Sequence, residues 1–340
     1  MTQQRPSNPS DLPAEHVSAA VPANRPASAP SHQSLPGPED DILLSTGRKP
    51  TTPPPTQEQI RRQPGRRPWV PNQHGAWAML LVPALVGLRV GGVPVLAFVL
   101  LPAWWAAYFT YWAWSQWLRT RSARRRHLLV LPLGIYTAAT ASLGLFTLLL
   151  APYLAQWLLA FAPLLGIALW ELWRGRERSL LSGLATTTAA SLMTAVSYSA
   201  AVRGGGGFLG LGDSTGLRGA SPNGELTGWP WVWLLTASVA LYFGGTVPYV
   251  KTMIRERFNR GLLVASVAAH TLVAAVALEL AATGFLNWGH ALLWVGLAVR
   301  AWLLPHLQWR RLRAKQRPLA SRTIGIIEIV VCVLFLLTVV

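Results

Sequence analysis

The sequence predicts an all-α fold, a polytopic membrane helix bundle of nine transmembrane helices, on three observations. Hydrophobic residues make up 51% of the 340 and charged ones only 13%, a balance that suits a lipid-facing surface better than a water-facing one. The apolar residues gather into nine stretches, each near the ~20 residues a helix needs to cross ~30 Å of hydrocarbon. The basic residues fall in short clusters at every second connection between those stretches, which is the pattern of topology signals. The formal charge of +17 therefore points to loops at a membrane surface and not to nucleic acid. Seventeen tryptophans fit many membrane–water boundaries, where an amphipathic indole is comfortable. Cys332 is the single cysteine, so one chain holds neither a disulfide framework nor a cysteine-based metal site.

Residues 1–68 hold 14 of the 26 prolines, with Ser, Gln, Thr and Ala between them. Such a segment buries too little surface to offset its ordering entropy and reads as a disordered Pro-rich tail. Arg61, Arg62, Arg66 and Arg67 close it and hold it on the cytoplasmic side, against anionic lipid. The transmembrane domain, 69–340, follows, with spans expected at 70–88, 93–118, 128–149, 151–173, 180–202, 229–250, 262–283, 285–305 and 320–340. Between the tail and the alternate connections, 22 basic residues fall on one side; the other connections carry only Arg89, Arg203 and Arg218. The positive-inside rule then predicts an inner-membrane protein with its N-terminus in the cytoplasm and its C-terminus outside.

One outward connection is long. Residues 203–228 are glycine-rich but contain no phosphate-binding lysine, and they follow no strand, so they read as a flexible linker. There are also signs of a parallel repeat of two four-helix units. Tyr108-Phe109 and Leu128-Leu129-Val130 recur at one common spacing as Tyr242-Phe243 and Leu262-Leu263-Val264.

Ionisable groups inside a bilayer are costly and by default mark function. His74 lies near the inner end of the first span, His270 in the seventh and Glu328 in the ninth. His270 and Glu328 lie at similar depth, about 12 Å in, so a His–Glu hydrogen bond is expected. Such a pair relays a proton or orients a ligand, or is simply a satisfied contact between helices. Arg300, placed near the inner end of the eighth span, is expected to snorkel to the interface. Glu171, beside Trp170 and Trp173, reads as half of a solvated interfacial salt bridge. The arginines of the 2–3 and 6–7 connections, Arg119, Arg121, Arg255 and Arg257 among them, have two readings. They are topogenic charge in contact with lipid, or a converging anion site, for which planar guanidinium donors are suited.

At Pro71-Asn72-Gln73-His74-Gly75-Ala76-Trp77-Ala78-Met79-Leu80 the chain resembles the YwiC-like family of bacterial integral membrane proteins. Trp117-Leu118-Arg119-Thr120-Arg121, Arg255-Glu256-Arg257, and Gly325 with Glu328 extend the likeness across residues 69–340. The resemblance implies location and topology and carries no activity. More distantly, nine helices with a special pair of cytoplasmic loops are similar to the UbiA group of intramembrane prenyltransferases. That group holds its isoprenyl diphosphate through Mg²⁺ on aspartate-rich loops. Here 111–126 contains no acidic residue and 248–260 only Glu256, so a hard cation lacks its oxygen ligands and no cofactor is named.

Two classes of function follow as expectations. One is binding or transfer of an anionic or isoprenoid lipid, its head group held by Asn72, Gln73, Arg119, Arg121, Arg255 and Arg257. In the enzymatic form of that reading, His74, His270 or Glu328 serves as the acid–base group. The other is a small-molecule or proton-coupled transporter, which the repeat and the Pro/Gly-broken helices (Pro83, Gly87, Pro132, Gly134, Pro163, Gly166) permit. The partners expected are membrane lipid and anionic head groups.

Overall fold

The computed structural model describes residues 69, 71, 74–120, 122–176, 178–319 and 321–339, and their side chains apart from those of 74–75, 123–125 and 321–322. The tail 1–68 lies outside them. Nine α-helices run through the described residues: α1 His74–Gly91, α2 Ala97–Arg119, α3 Ala123–Leu150, α4 Trp157–Trp173, α5 Leu180–Ala201, α6 Trp229–Ile254, α7 Arg260–Ala282, α8 Trp288–Arg313 and α9 Ser321–Thr338. A 3-10 turn, Pro152–Gln156, leads into α4. Each helix falls on an expected span, because in hydrocarbon a chain satisfies its backbone only by closing its own hydrogen bonds.

Polar side chains set several of the starts. Ser179, Asn259 and Asn287 accept from the backbone N–H of Ser182, Leu262 and His290 and so cap α5, α7 and α8. Arginine and lysine in the last turns of α2, α6 and α8 complement those helix dipoles. Among the described residues, six helices are long and apolar enough to cross a membrane. Of the other three, α1 and α9 are 18 residues each, and α2 draws its apolarity from a run of Trp, Tyr and Phe.

The bundle is organised on α1. Its Val82 and Val86 join one core cluster, with side chains of α6, α7, α8 and α9. Its Ala84 joins a second, with α2, the 3-10 turn, α4, α5 and the start of α6. Close packing of α1 on α5 is permitted by Gly87 and Gly91. A Cβ at Gly87 would fall 2.1 Å from Thr194 O, and one at Gly91 would fall 2.6 Å from Ala201 Cβ. This is the small-residue contact by which membrane helices approach when no hydrophobic effect drives them together. Of the long spans, α5 and α6 are the most enclosed, and α3 and α4 the least.

Two expectations meet a different arrangement. Residues 203–228 do not form an open linker; they fold over the ends of α5 and α6. Tyr198 donates to Arg218 O at 2.6 Å, Trp229 Nε1 to Gly205 O at 2.7 Å, and Leu209 N–H to Gln156 Oε1 at 2.6 Å. Gly206 and Gly210 sit at φ +92° and +70° against the Trp229 ring, where a Cβ would fall 2.0 and 2.1 Å from ring atoms. The glycines thus form a cradle for an indole, a use that composition alone does not reveal. The repeat, for its part, is not matched by packing. In the second set α7 lies chiefly along α8, whereas its counterpart α3 lies chiefly along α2.

Candidate functional site: a buried ion pair between α8 and α9

Three arginines of the two basic loops, Arg119, Arg126 and Arg257, turn back on their own chain. Arg119 Nε donates to Ser115 O at 3.0 Å, and Arg126 lays its guanidinium over the Trp117 ring, 4.9 Å from the centroid. Arg257 Nε donates to Met253 O at 3.1 Å, and burial lowers its pKa from the usual arginine value. Trp309 Nε1 donates to Arg257 O, and Gln308 joins Met253 O to Leu319 N–H, so α8 holds the 6–7 loop. Neither α2 nor α3 has α6 or α7 as a principal packing partner. Helix packing thus gives α2–α3 and α6–α7 no direct joint between the two basic loops among their principal contacts. Arg255 lies in the same turn as Arg257. Asn72, Gln73 and Arg121 lie outside the described residues, as does the side chain of His74. Glu171 takes its expected salt bridge, from Arg176 at 2.7 Å, although its carboxylate is buried and not solvated.

The two intramembrane groups expected to pair do not meet. His270 Nδ1 bonds to Ser266 O at 2.7 Å within α7, and its Nε2 edge faces Gly245 of α6. Glu328 instead accepts from Arg300 Nη1 at 2.6 Å. Arg300 does not snorkel. The eighth helix runs on to Arg313, which leaves Arg300 about 18 Å from Trp288 and about 20 Å from Arg313. From the middle of the helix the guanidinium, 8% exposed, turns inward to a carboxylate.

Arg300 is 8% exposed. It stands beside the core-facing stripe of α8 formed by His290, Trp294, Leu297, Ala301, Pro305 and Gln308. Its guanidinium lies over the Tyr249 ring of α6, 4.2 Å from the centroid, a cation–π contact that desolvation strengthens. The pair is under-satisfied. Among the described residues, Arg300 Nε and Nη2, Glu328 Oε2 and the Tyr249 hydroxyl are buried without a hydrogen-bond partner. A buried ion pair usually needs such bonds to offset desolvation, and polar atoms left open this way mark a place where something else can bind.

The sequence also passed over His290, fully buried and held on three sides. Its Nε2 lies 2.8 Å from Ser238 Oγ and 3.2 Å from Trp294 Nε1, and its Nδ1 lies 3.2 Å from Thr338 Oγ1. This network is complete, and it ties α6, α8 and α9 together. Helix phase was the signal that would have found both residues, since Arg300 and His290 keep the three-to-four spacing of the α8 core face.

Residues 70–198 match the family described as YwiC-like protein. A relative from Bacillus subtilis (strain 168), described as "Uncharacterized protein YwiC", is 28% identical over 271 residues, covering 78% of this chain and 95% of that protein. No solved structure matches the chain, so the likeness to the UbiA group rests on the arrangement of spans alone. The Arg300–Glu328 pair lies beyond the residues matched by the family.

Proposed function

We propose that this chain, YwiC-like across residues 70–198, is a multi-pass protein of the bacterial cytoplasmic membrane that binds and carries a small anionic solute at the Arg300–Glu328 pair. Its N-terminus is cytoplasmic and its C-terminus external. One observation carries the reading: a buried charged pair midway along α8 of a helix bundle, with donors left open. Secondary carriers place their binding sites near the membrane midplane between discontinuous or packed helices, and a lone structural contact gains nothing from unused guanidinium donors. The orientation is supported by the basic connections.

Reconstitution tests this directly. Full-length protein in proteoliposomes is loaded with small organic and inorganic anions, and exchange is followed with labelled solute. Flux above that of protein-free vesicles, lost in Arg300→Gln, is expected; equal flux with and without protein counts against a carrier. The second reading, an anionic lipid head group at the basic end, is favoured by a separate feature. Arg126 over Trp117 and Arg174 over Trp170, at 4.9 and 4.8 Å, are the interfacial pairs that a head group would meet. Native mass spectrometry of co-purified lipid distinguishes it, since retention of anionic over zwitterionic lipid is expected on that reading alone.

A further inference from the structure

Resting on the carrier reading, we infer that the Arg300–Glu328 site takes up one carboxylate-bearing anion together with one proton, the proton going to Glu328. The inference follows from charge balance. Arg300 and Glu328 together are neutral. Among the described side chains, the groups brought to them by the packed helices supply no second cation. Tyr249 and Tyr242 come from α6, with the Tyr242 hydroxyl 3.2 Å from Cys332 Sγ of α9. His270 comes from α7, with Nδ1 engaged by Ser266 O. Among the described side chains of α1, which also packs on α9, the charged one is Arg89; it donates to Leu336 O, about 12 Å along α9 from Glu328. An anion entering alone would therefore leave a net negative charge in hydrocarbon, which membrane interiors do not tolerate.

One proton resolves this. When the Glu328 carboxylate takes a proton from water, it becomes neutral and gives up its claim on Arg300 Nη1. The positive guanidinium then faces the incoming anion, and the site is neutral before and after. Arg300 already offers Nε and Nη2, two donors on one edge of a planar group without partners. Two parallel N–H donors match the two oxygens of a carboxylate. Tyr249 forms the floor beneath the guanidinium. A monoanionic phosphate shares the oxyanion chemistry but not the planar match, so the two serve as separate probes.

The test uses full-length protein in nanodiscs of zwitterionic lipid. Acetate and inorganic phosphate are titrated calorimetrically in buffers of different ionisation enthalpy, at mildly acidic and mildly alkaline pH. Wild type is expected to bind acetate more tightly than phosphate, with one proton taken up per anion. Its affinity should rise about tenfold for each unit the pH falls, while Glu328 remains ionised in the free site. Glu328→Gln should bind acetate with no proton uptake and no such pH dependence. The double variant Arg300→Met/Glu328→Leu, in which no charge is left unpaired, should stay folded and bind neither probe. Four outcomes overturn the inference: no acetate binding to wild type at acidic pH; binding without proton uptake; pH dependence that survives in Glu328→Gln; or undiminished binding by the double variant. Proton-linked binding without flux would sink the carrier reading and leave this inference standing, and flux without proton uptake would do the reverse.

Discussion

Arg300 and Glu328 depend on each other in a way that single and double substitutions separate. Glu328→Leu leaves a guanidinium in hydrocarbon with no counter-charge, and Arg300→Met leaves a carboxylate. Each is expected to cost about 3–5 kcal/mol, whereas the double variant should be neutral or stabilising by about 1–4 kcal/mol. Thermal unfolding of the detergent-solubilised proteins reads this; a double variant as unstable as the sum of the singles would show that the pair does not act as a unit. A second residue-scale prediction concerns Asp213, in the outer loop. The Thr215 hydroxyl and backbone N–H donate to its Oδ1 at 2.6 and 2.9 Å, holding the carboxyl below its usual range. A depressed folded pKa means the turn's stabilisation is present above the unfolded value and lost only as pH falls through the lower, folded one. Protection of the Thr215 amide from hydrogen exchange should accordingly persist into acid beyond the point where an ordinary aspartate has titrated. At this scale the sequence exposed half of the site. Glu328 and His270 stood out because charge is rare in apolar runs, but their partners depend on which helices adjoin. Arg300 was mistaken for a snorkelling residue because its span was ended at residue 305, short of the true helix end at Arg313.

Among the elements, α1 is the one whose packing is most open to a simple test. Gly87→Val places a side chain where even a Cβ would lie 2.1 Å from Thr194 O. Because that obstacle is backbone, α1 and α5 must separate, and the cost should reach or exceed the upper end of the ~1–3 kcal/mol usual for overpacking. Gly134→Val on α3 is the control. A Cβ there has nothing within 4 Å, so the change should stay within about 0.5 kcal/mol. Comparing their unfolding temperatures decides the matter, and equal losses would mean that the α1–α5 contact is not close. Gly87 of α1 was visible in the sequence, where it read as a break in a helix. Its use as a contact became legible only with α5 beside it, since a stretch rich in Ala, Ser and Thr does not say which neighbour it admits. The same holds for 203–228. Its glycine content was plain, but the cradle for Trp229 requires knowing that residue 229 returns to it.

For the molecule as a whole, transfer physics did most of the work that sequence reading can do. Nine apolar stretches became nine helices because lipid allows few alternatives. Hydropathy alone would have counted fewer, since α2 is aromatic and α1 and α9 are short. The threading makes the last prediction. Gly91 meets Ala201 and Tyr198, Arg89 donates to Leu336 O, and Asn287 donates to Thr338 O, which gathers one set of helix ends together with the 203–228 loop. Met253, Arg257, Gln308 and Leu319 gather at the opposite end, where the basic turns lie. Cations resist translocation, so that end should face the cytoplasm. Reporter fusions after Arg124, Arg176, Arg257 and Arg313 should therefore all report cytoplasm. Fusions within 203–228 and after Val340 should report the outside. Fusions after Arg124 and Arg313 that report opposite sides would require an odd number of crossings between them. The alternation of α3 through α8 would then fail, and with it the mid-depth position from which Arg300 derives its significance.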